Sequence, residues 1–112
     1  MRTTLKRVPE KAIQRDIVRL LRSVGGVVFV IGTRRAKGDY QGTRMSPGLP
    51  DLITVVAAEL VMIEVKARNG QLRPAQKIFR DACIDAGVRH IVGGLDEVLA
   101  YLEARGLARR SA

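Results

Sequence analysis

"GLPDLITVVAAELVMIEVKARNG", residues 48–70, sets Asp51, Glu64 and Lys66 into a stretch otherwise dominated by Val, Ile and Leu. Two β-branched runs, at about 51–56 and 60–66, flank a break near Ala58, and this pattern predicts a buried hairpin. Charged side chains are costly to bury unless something compensates them, so their presence here calls for an explanation. In a two-residue turn the paired positions are fixed. A turn at Ala57-Ala58 sets Asp51 opposite Glu64, whereas one at Ala58-Glu59 sets it opposite Lys66. Glu64 and Lys66 are two apart and share a face of their strand, and a cross-strand partner shares it with them. Either register gathers the three polar groups at one end of the sheet. The turn lacks Gly and Asn, so a longer connection stays open, and a slip of one residue would separate the groups.

Around this hairpin the chain is punctuated regularly. Pro9 suits a first helical turn, and Ile13, Ile17, Leu20, Leu21 and Val24 recur at helical spacing until Gly25-Gly26, which predicts a helix over about 9–24. VVFVI at 27–31 predicts a short buried strand. Residues 32–49 hold four glycines, one proline and four basic residues without periodicity, and predict a long loop that is functional or mobile. After the Asn69-Gly70 turn, Pro74 opens a second helix whose stripe is Ala75, Ile78, Phe79, Ala82 and Ala86, ended by Gly87. RHIV at 89–92 predicts a strand, and Leu95, Val98, Leu99 and Leu102 predict a last helix to about Ala104. The strand, helix and strand across 60–92 should form a right-handed parallel crossover. The expected fold is a single α/β domain over 1–112, with a core at about 9–104 and a basic tail at 105–112. Its element order is α-β-β-β-α-β-α, in a mixed sheet flanked by helices.

The chain has 112 residues, 46% of them hydrophobic, which is enough for a real core and argues against disorder. No apolar run approaches the about 20 residues that span a bilayer, and MRTTLKRVPE does not resemble a secretory signal, so a cytoplasmic protein without a membrane partner is expected. Twenty Lys and Arg against eleven acids leave a net charge of +9, which favours a polyanion, and nucleic acid above all, as partner. Membrane attachment would want a wide exposed apolar helix face, whereas every apolar stripe here is needed for the core. Cys83 is the only cysteine, which excludes an internal disulfide and a thiolate zinc site and leaves it as a small core hydrophobe.

The first helix adds a fourth polar group. Glu10 heads the stripe formed by Ile13, Ile17, Leu20 and Val24, and Gln14 sits beside it on the neighbouring ridge. A carboxylate in a first helical turn also has a plain electrostatic reason to be there, since the helix dipole favours it. Clustered carboxylates repel one another unless a cation or a shared proton relieves them. Oxygen ligands without a Cys or His set suit Mg²⁺ or Mn²⁺, which can polarise a phosphodiester, with Lys66 placed to hold the attacking water or stabilise the transition state. On spacing alone, an ion pair that merely pins the hairpin explains the charges equally well.

The run Pro50-Asp51, thirteen residues to Glu64, then Val65-Lys66 resembles the motif of the PD-(D/E)xK, or restriction-endonuclease-like, nucleases. Its setting is similar to the VRR-NUC family in particular: Glu10 and Gln14 in the first helix, a Gly-rich loop, Gly48-Leu49-Pro50-Asp51-Leu52, Ile63-Glu64-Val65-Lys66, then Gly70, Leu72 and Gln76. The likeness covers about residues 9–100 in family order. It implies a restriction-endonuclease-like fold and a metal-dependent cut in DNA that leaves a 5′-phosphate and a 3′-hydroxyl. Asp51 and Glu64 would ligate Mg²⁺ or Mn²⁺, joined by the main-chain carbonyl of Val65. Glu10 would complete or support the metal shell, Lys66 would serve the nucleophilic water, and Gln76 would orient Lys66 or a phosphate. Short members of the family resemble Holliday junction resolvases that act as homodimers on branched DNA, and this compact chain is closest to them. The loop at 32–49 does not align with the family pattern, which leaves substrate choice open.

Several further residues bear on the partner. Arg34, Arg35, Lys37 and Arg44, in the long loop, are expected to follow a DNA backbone, and Arg73 to reach a phosphate. Tyr40 more simply packs locally than stacks on a base, and the few aromatics disfavour a base-stacking platform. His90, the only histidine, is expected to be structural. Ser46 lacks the context of a hydrolase nucleophile. Two rivals stand beside the junction nuclease: a noncatalytic basic module that binds nucleic acid, and a nuclease acting on flap or linear DNA.

Overall fold

The computed structural model describes residues 8–31 and 46–109. Seven elements follow one another: α1 (Glu10–Ser23), β1 (Val27–Val30), β2 (Leu52–Val56), β3 (Glu59–Val65), α2 (Pro74–Asp85), β4 (Arg89–Gly93) and α3 (Leu95–Ala104). The four strands form one mixed sheet in the order β1-β2-β3-β4. β1, β2 and β3 are antiparallel neighbours, and β4 joins β3 in parallel, as the long connection through α2 requires.

The hairpin takes the first of the two registers open to it. Val56 pairs with Glu59 and Leu52 with Ile63, so the two-residue turn is Ala57-Ala58. Both alanines have positive φ, 54° and 62°, the arrangement whose twist matches that of paired strands. Neither residue favours it on its own, which is why the turn was hard to place from composition. Extended one step past the ladder, this register sets Asp51 against Glu64. The Ile31 amide bonds the Asp51 carbonyl at 2.8 Å, so β1 braces the same position from the other side.

Alternation along the strands separates two faces. Leu52, Thr54 and Val56 of β2 and Val61, Ile63 and Val65 of β3 are buried on one of them. Ile17 and Leu21 of α1 and Val98 and Leu102 of α3 cover them. Each such side chain contributes about 1.5–3 kcal/mol by leaving water. The buried Thr54 hydroxyl is not stranded, because it donates to the Val27 carbonyl at 2.9 Å. Tyr101 closes the far end of this face by donating to Glu59 at 2.6 Å. Burial and that bond raise its phenol to about 12, while the same bond, with Arg89 and Arg105, lowers the Glu59 carboxyl.

Two sequence expectations fail. The β1 strand is not buried: only Val28 is, while Val27, Phe29 and Val30 are exposed, Phe29 by 54%. The strand lies at the sheet edge, and its helical cover, α1, sits on one side only. The α2 stripe is also rotated. Ile78 is 71% exposed and Ala82 and Ala86 face outward, while Gln76, Phe79 and Cys83 turn toward the sheet. Not every apolar stripe serves the core, since Val27, Phe29, Val55 and Leu60 lie open on the face that carries Glu64. Among the described residues, no helix is long and apolar enough to cross a membrane.

Candidate active site

The open sheet face ends in the charged residues. The Asp51 carboxylate accepts a hydrogen bond from the Val65 amide at 2.8 Å, across the hairpin. Glu64, only 3% exposed, accepts from the Gln76 side-chain amide at 2.9 Å and lies 3.9 Å from the Lys66 ammonium. The other end of the Gln76 amide accepts from the Arg73 main-chain N–H at 2.8 Å, so one side chain both caps α2 and ties it to β3. Glu10 reaches in from the first turn of α1, where its carboxylate accepts from the Ala67 amide at 3.4 Å. Glu10, Asp51, Glu64, Lys66 and Gln76, drawn from four separate places in the chain, thus meet at one end of the sheet.

Two glycines fix this arrangement sterically. A Cβ on Gly70 would come within 3.2–3.3 Å of Cβ and Cδ of Lys66 and 2.9 Å of the Ala67 carbonyl, so Gly70 leaves room for the lysine stem. Gly48, at φ +92°, packs directly on the Ala75 carbonyl of α2, where a Cβ would overlap it. This contact holds the segment leading into Asp51 against the turn that carries Gln76. Gly48→Ala should therefore lower stability by about 2–4 kcal/mol through backbone strain and overlap. Chemical denaturation measures it; a loss below about 0.5 kcal/mol would contradict the packing.

The electrostatics of the cluster are unbalanced. Burial, then the charge of Asp51 and a hydrogen bond with it, raise the Glu64 carboxyl to about 8, against a smaller opposing pull from Lys66 and with a last contribution from Glu10. Lys66, 3.9 Å away, opposes this rise without cancelling it. A built structural ion pair would have cancelled it. The surplus of oxygen donors fits a hard divalent cation, which would let both carboxylates ionise. Among the described residues, no three Cys, His, Asp or Glu side chains form a ready cage. The oxygen donors brought together by the hairpin are the Asp51 and Glu64 carboxylates, and so small a set suits an ion that keeps several waters. Glu10 sits beside this pair, on the Ala67 amide, and is a support more than a member of it.

Gln76, expected to orient Lys66 or a phosphate, bonds Glu64, the acid that itself pairs with Lys66. Arg73 is exposed at the start of α2, next to Gln76. Arg34, Arg35, Lys37 and Arg44, with Tyr40, lie outside the described residues. His90 packs against the Phe79 ring at 5.7 Å, its Nδ1 without a partner among the described residues, and burial and Arg80 depress its pKa. Cys83 is buried and its thiol pushed up by burial, in keeping with a core residue. Sequence reasoning missed the roles of Gly48 and Gly70 as spacers, although both lie in the family pattern, because composition alone marks them only as turns.

Residues 3–94 match the VRR-NUC domain. The chain belongs to the VRR-NUC family. That places it in a family of nucleases. A solved structure described as a VRR_NUC domain superposes with a TM-score of 0.64 at 22% sequence identity, covering 85% of this chain and 94% of the other. At that identity the likeness is one of fold, and it agrees with the mixed sheet and the α-β-β-β-α-β-α order of this VRR-NUC chain. No protein of curated function matches the chain.

Proposed function

We propose that this VRR-NUC chain is an Mg²⁺- or Mn²⁺-dependent endodeoxyribonuclease that cuts branched DNA, four-way junctions included, as a homodimer. The observation that carries the reading is a buried Glu64 carboxyl set beside Asp51 by the hairpin register, with Lys66 3.9 Å away and the Gln76 amide bonded to it. Asp51 and Glu64 would hold the ion together with the Val65 carbonyl. When bound, the ion supplies Lewis acidity toward the phosphodiester and a lowered pKa for a coordinated water. Lys66 orients the attacking water and stabilises the charge that develops on the phosphoryl oxygens. Gln76 holds the Glu64 carboxylate in its rotamer, an orienting role whose loss typically costs about 10–100-fold in metal affinity or activity. Glu10 anchors the strand end through the Ala67 amide and so keeps Lys66 in place.

The dimer is supported by the open sheet face. Val27, Phe29, Val55 and Leu60 form an apolar patch without a cation among them, unsuited to a polyphosphate and suited to a second copy of the same face. Phe29→Lys should convert a dimer seen by sedimentation to monomer without lowering the melting temperature by more than a few degrees. A monomeric wild type at micromolar concentration would remove the dimer from the proposal.

The nuclease itself is tested with labelled junction, flap, duplex and single-stranded DNA in Mg²⁺, Mn²⁺ and Ca²⁺. Nicking of the junction is the expected result. Cutting that depends on strand ends would replace the junction by flap or linear DNA as substrate. Binding without any nicking in Mn²⁺ would favour a noncatalytic module.

A further inference from the structure

Away from the carboxylates, α1 and the edge of the sheet enclose a shallow groove of about 520 Å³. Lys11, Arg15, Arg19 and Arg22 line it over Val18 and Val30. These cations are spaced by four, four and three residues, so they fall on one stripe of the helix, opposite the side that buries Ile17. Like charges at that spacing repel and weaken a helix, a cost that needs a reason. Among the described residues none of the four has a carboxylate partner, whereas Arg80, Arg89 and Arg105 each have one. Asp16, the one acid between these cations in the chain, forms no ion pair with any of the four among the described residues.

We infer that the α1 groove is a phosphate track: a binding surface for the backbone of a DNA strand running away from the active site, read by charge and not by sequence. The track starts one residue from Glu10, which reaches the site, and extends for roughly 16 Å along the helix axis. That length matches about five nucleotides of one strand at 3.4 Å each along the duplex axis. Val18 and Val30 form an apolar floor that carries no competing charge, and the four long side chains can follow phosphates by swinging on their stems. The inference takes from the nuclease reading only the identity of the polyanion.

The test measures binding in Ca²⁺, so that it does not depend on cleavage. Fluorescence anisotropy with a labelled duplex and a labelled four-way junction compares wild type, Arg15→Gln/Arg19→Gln, and a control of equal charge loss, Arg80→Gln/Arg105→Gln, between 50 and 300 mM KCl. The stripe variant should lose roughly tenfold or more in affinity at low salt, and its slope of log K against log salt should become shallower by about 1.8, two contacts at about 0.9 each. The control should stay within about twofold of wild type. Equal loss in both variants, or none in the stripe variant, overturns the track. So does loss of binding to vesicles containing phosphatidylserine with DNA affinity intact, which would make the face a membrane surface. Should the double variant fail to match the wild-type melting temperature, Arg22→Gln, in the exposed last turn, carries the same test with half the slope change. A wild type that binds but never nicks defeats the nuclease reading and leaves the track standing. A stripe variant that binds and cuts like wild type does the reverse.

Discussion

Asp51→Ala and Lys66→Ala should each reduce junction cleavage by roughly 10³-fold or more while leaving junction binding in Ca²⁺ within a few-fold of wild type. The two substitutions remove different things. Asp51 supplies a carboxylate and also accepts the Val65 amide, so its loss weakens ion binding and frees the end of β3. Lys66 lies 3.9 Å from Glu64 with its side chain 12% exposed, close enough to act on a water at the cluster but not to neutralise it. Its replacement should therefore lower the rate at saturating Mn²⁺, whereas Asp51→Ala should also shift the Mn²⁺ concentration needed for half-maximal rate. Gln76→Ala should fall between these and wild type, at about 10–100-fold, because it acts through Glu64. Gel quantification of nicked junction across a Mn²⁺ series separates the three patterns. Equal cleavage by wild type and Lys66→Ala would leave the lysine a structural partner only.

The site was legible in the sequence because its decisive residues are tied to strand periodicity. Glu64 and Lys66 had to share a face, and a two-residue turn had to bring Asp51 to that face in either register. The choice between registers was not legible, since it depends on Ala57 and Ala58 accepting a left-handed backbone that their side chains do not request. Burial was the weaker inference. Phe29 and Ile78 are as apolar as any core residue, yet both are exposed, because α1 covers one face of β1 and α2 is turned about its axis so that Gln76 and Cys83 face inward. Hydrophobic pattern tells which elements form, and tertiary packing decides which of their sides is used. The α2 rotation has a local cause: Gln76 bonds Glu64 and the Arg73 amide together, and those two bonds orient the first turn of the helix. The basic stripe of α1 escaped notice for a related reason, as a helix with one apolar and one charged side looks like an ordinary amphipathic one until it is seen that, among the described residues, none of its four cations forms an ion pair.

The metal-free protein should lose stability as pH rises from about 5 to 8, and Mn²⁺ should restore it, more at pH 8 than at pH 6. The unfolded chain gives up the Glu64 proton near its ordinary value of 4.5, while the folded protein holds it to about 8. Between those values the native state binds more protons than the unfolded one, so the stability from this group is complete below 4.5 and is lost as pH rises through 8. Glu64 is buried enough for the effect to be on the order of a few kcal/mol, subject to other groups that titrate in the same range. Glu64→Gln keeps the shape and the bond partners but cannot ionise, so its melting temperature should be flat across this window where that of the wild type falls. A divalent ion displaces the same proton, and its affinity should rise by roughly tenfold per pH unit until Glu64 is ionised. Differential scanning fluorimetry at pH 5, 6, 7 and 8, with and without Mn²⁺, reads both slopes without a nucleic acid present. A wild type whose stability is unchanged between pH 5 and 8, or a Mn²⁺ stabilisation that Glu64→Gln retains in full, would show that the buried carboxylate is satisfied by the protein alone, and the case for a cation at this end of the sheet would lose its electrostatic basis.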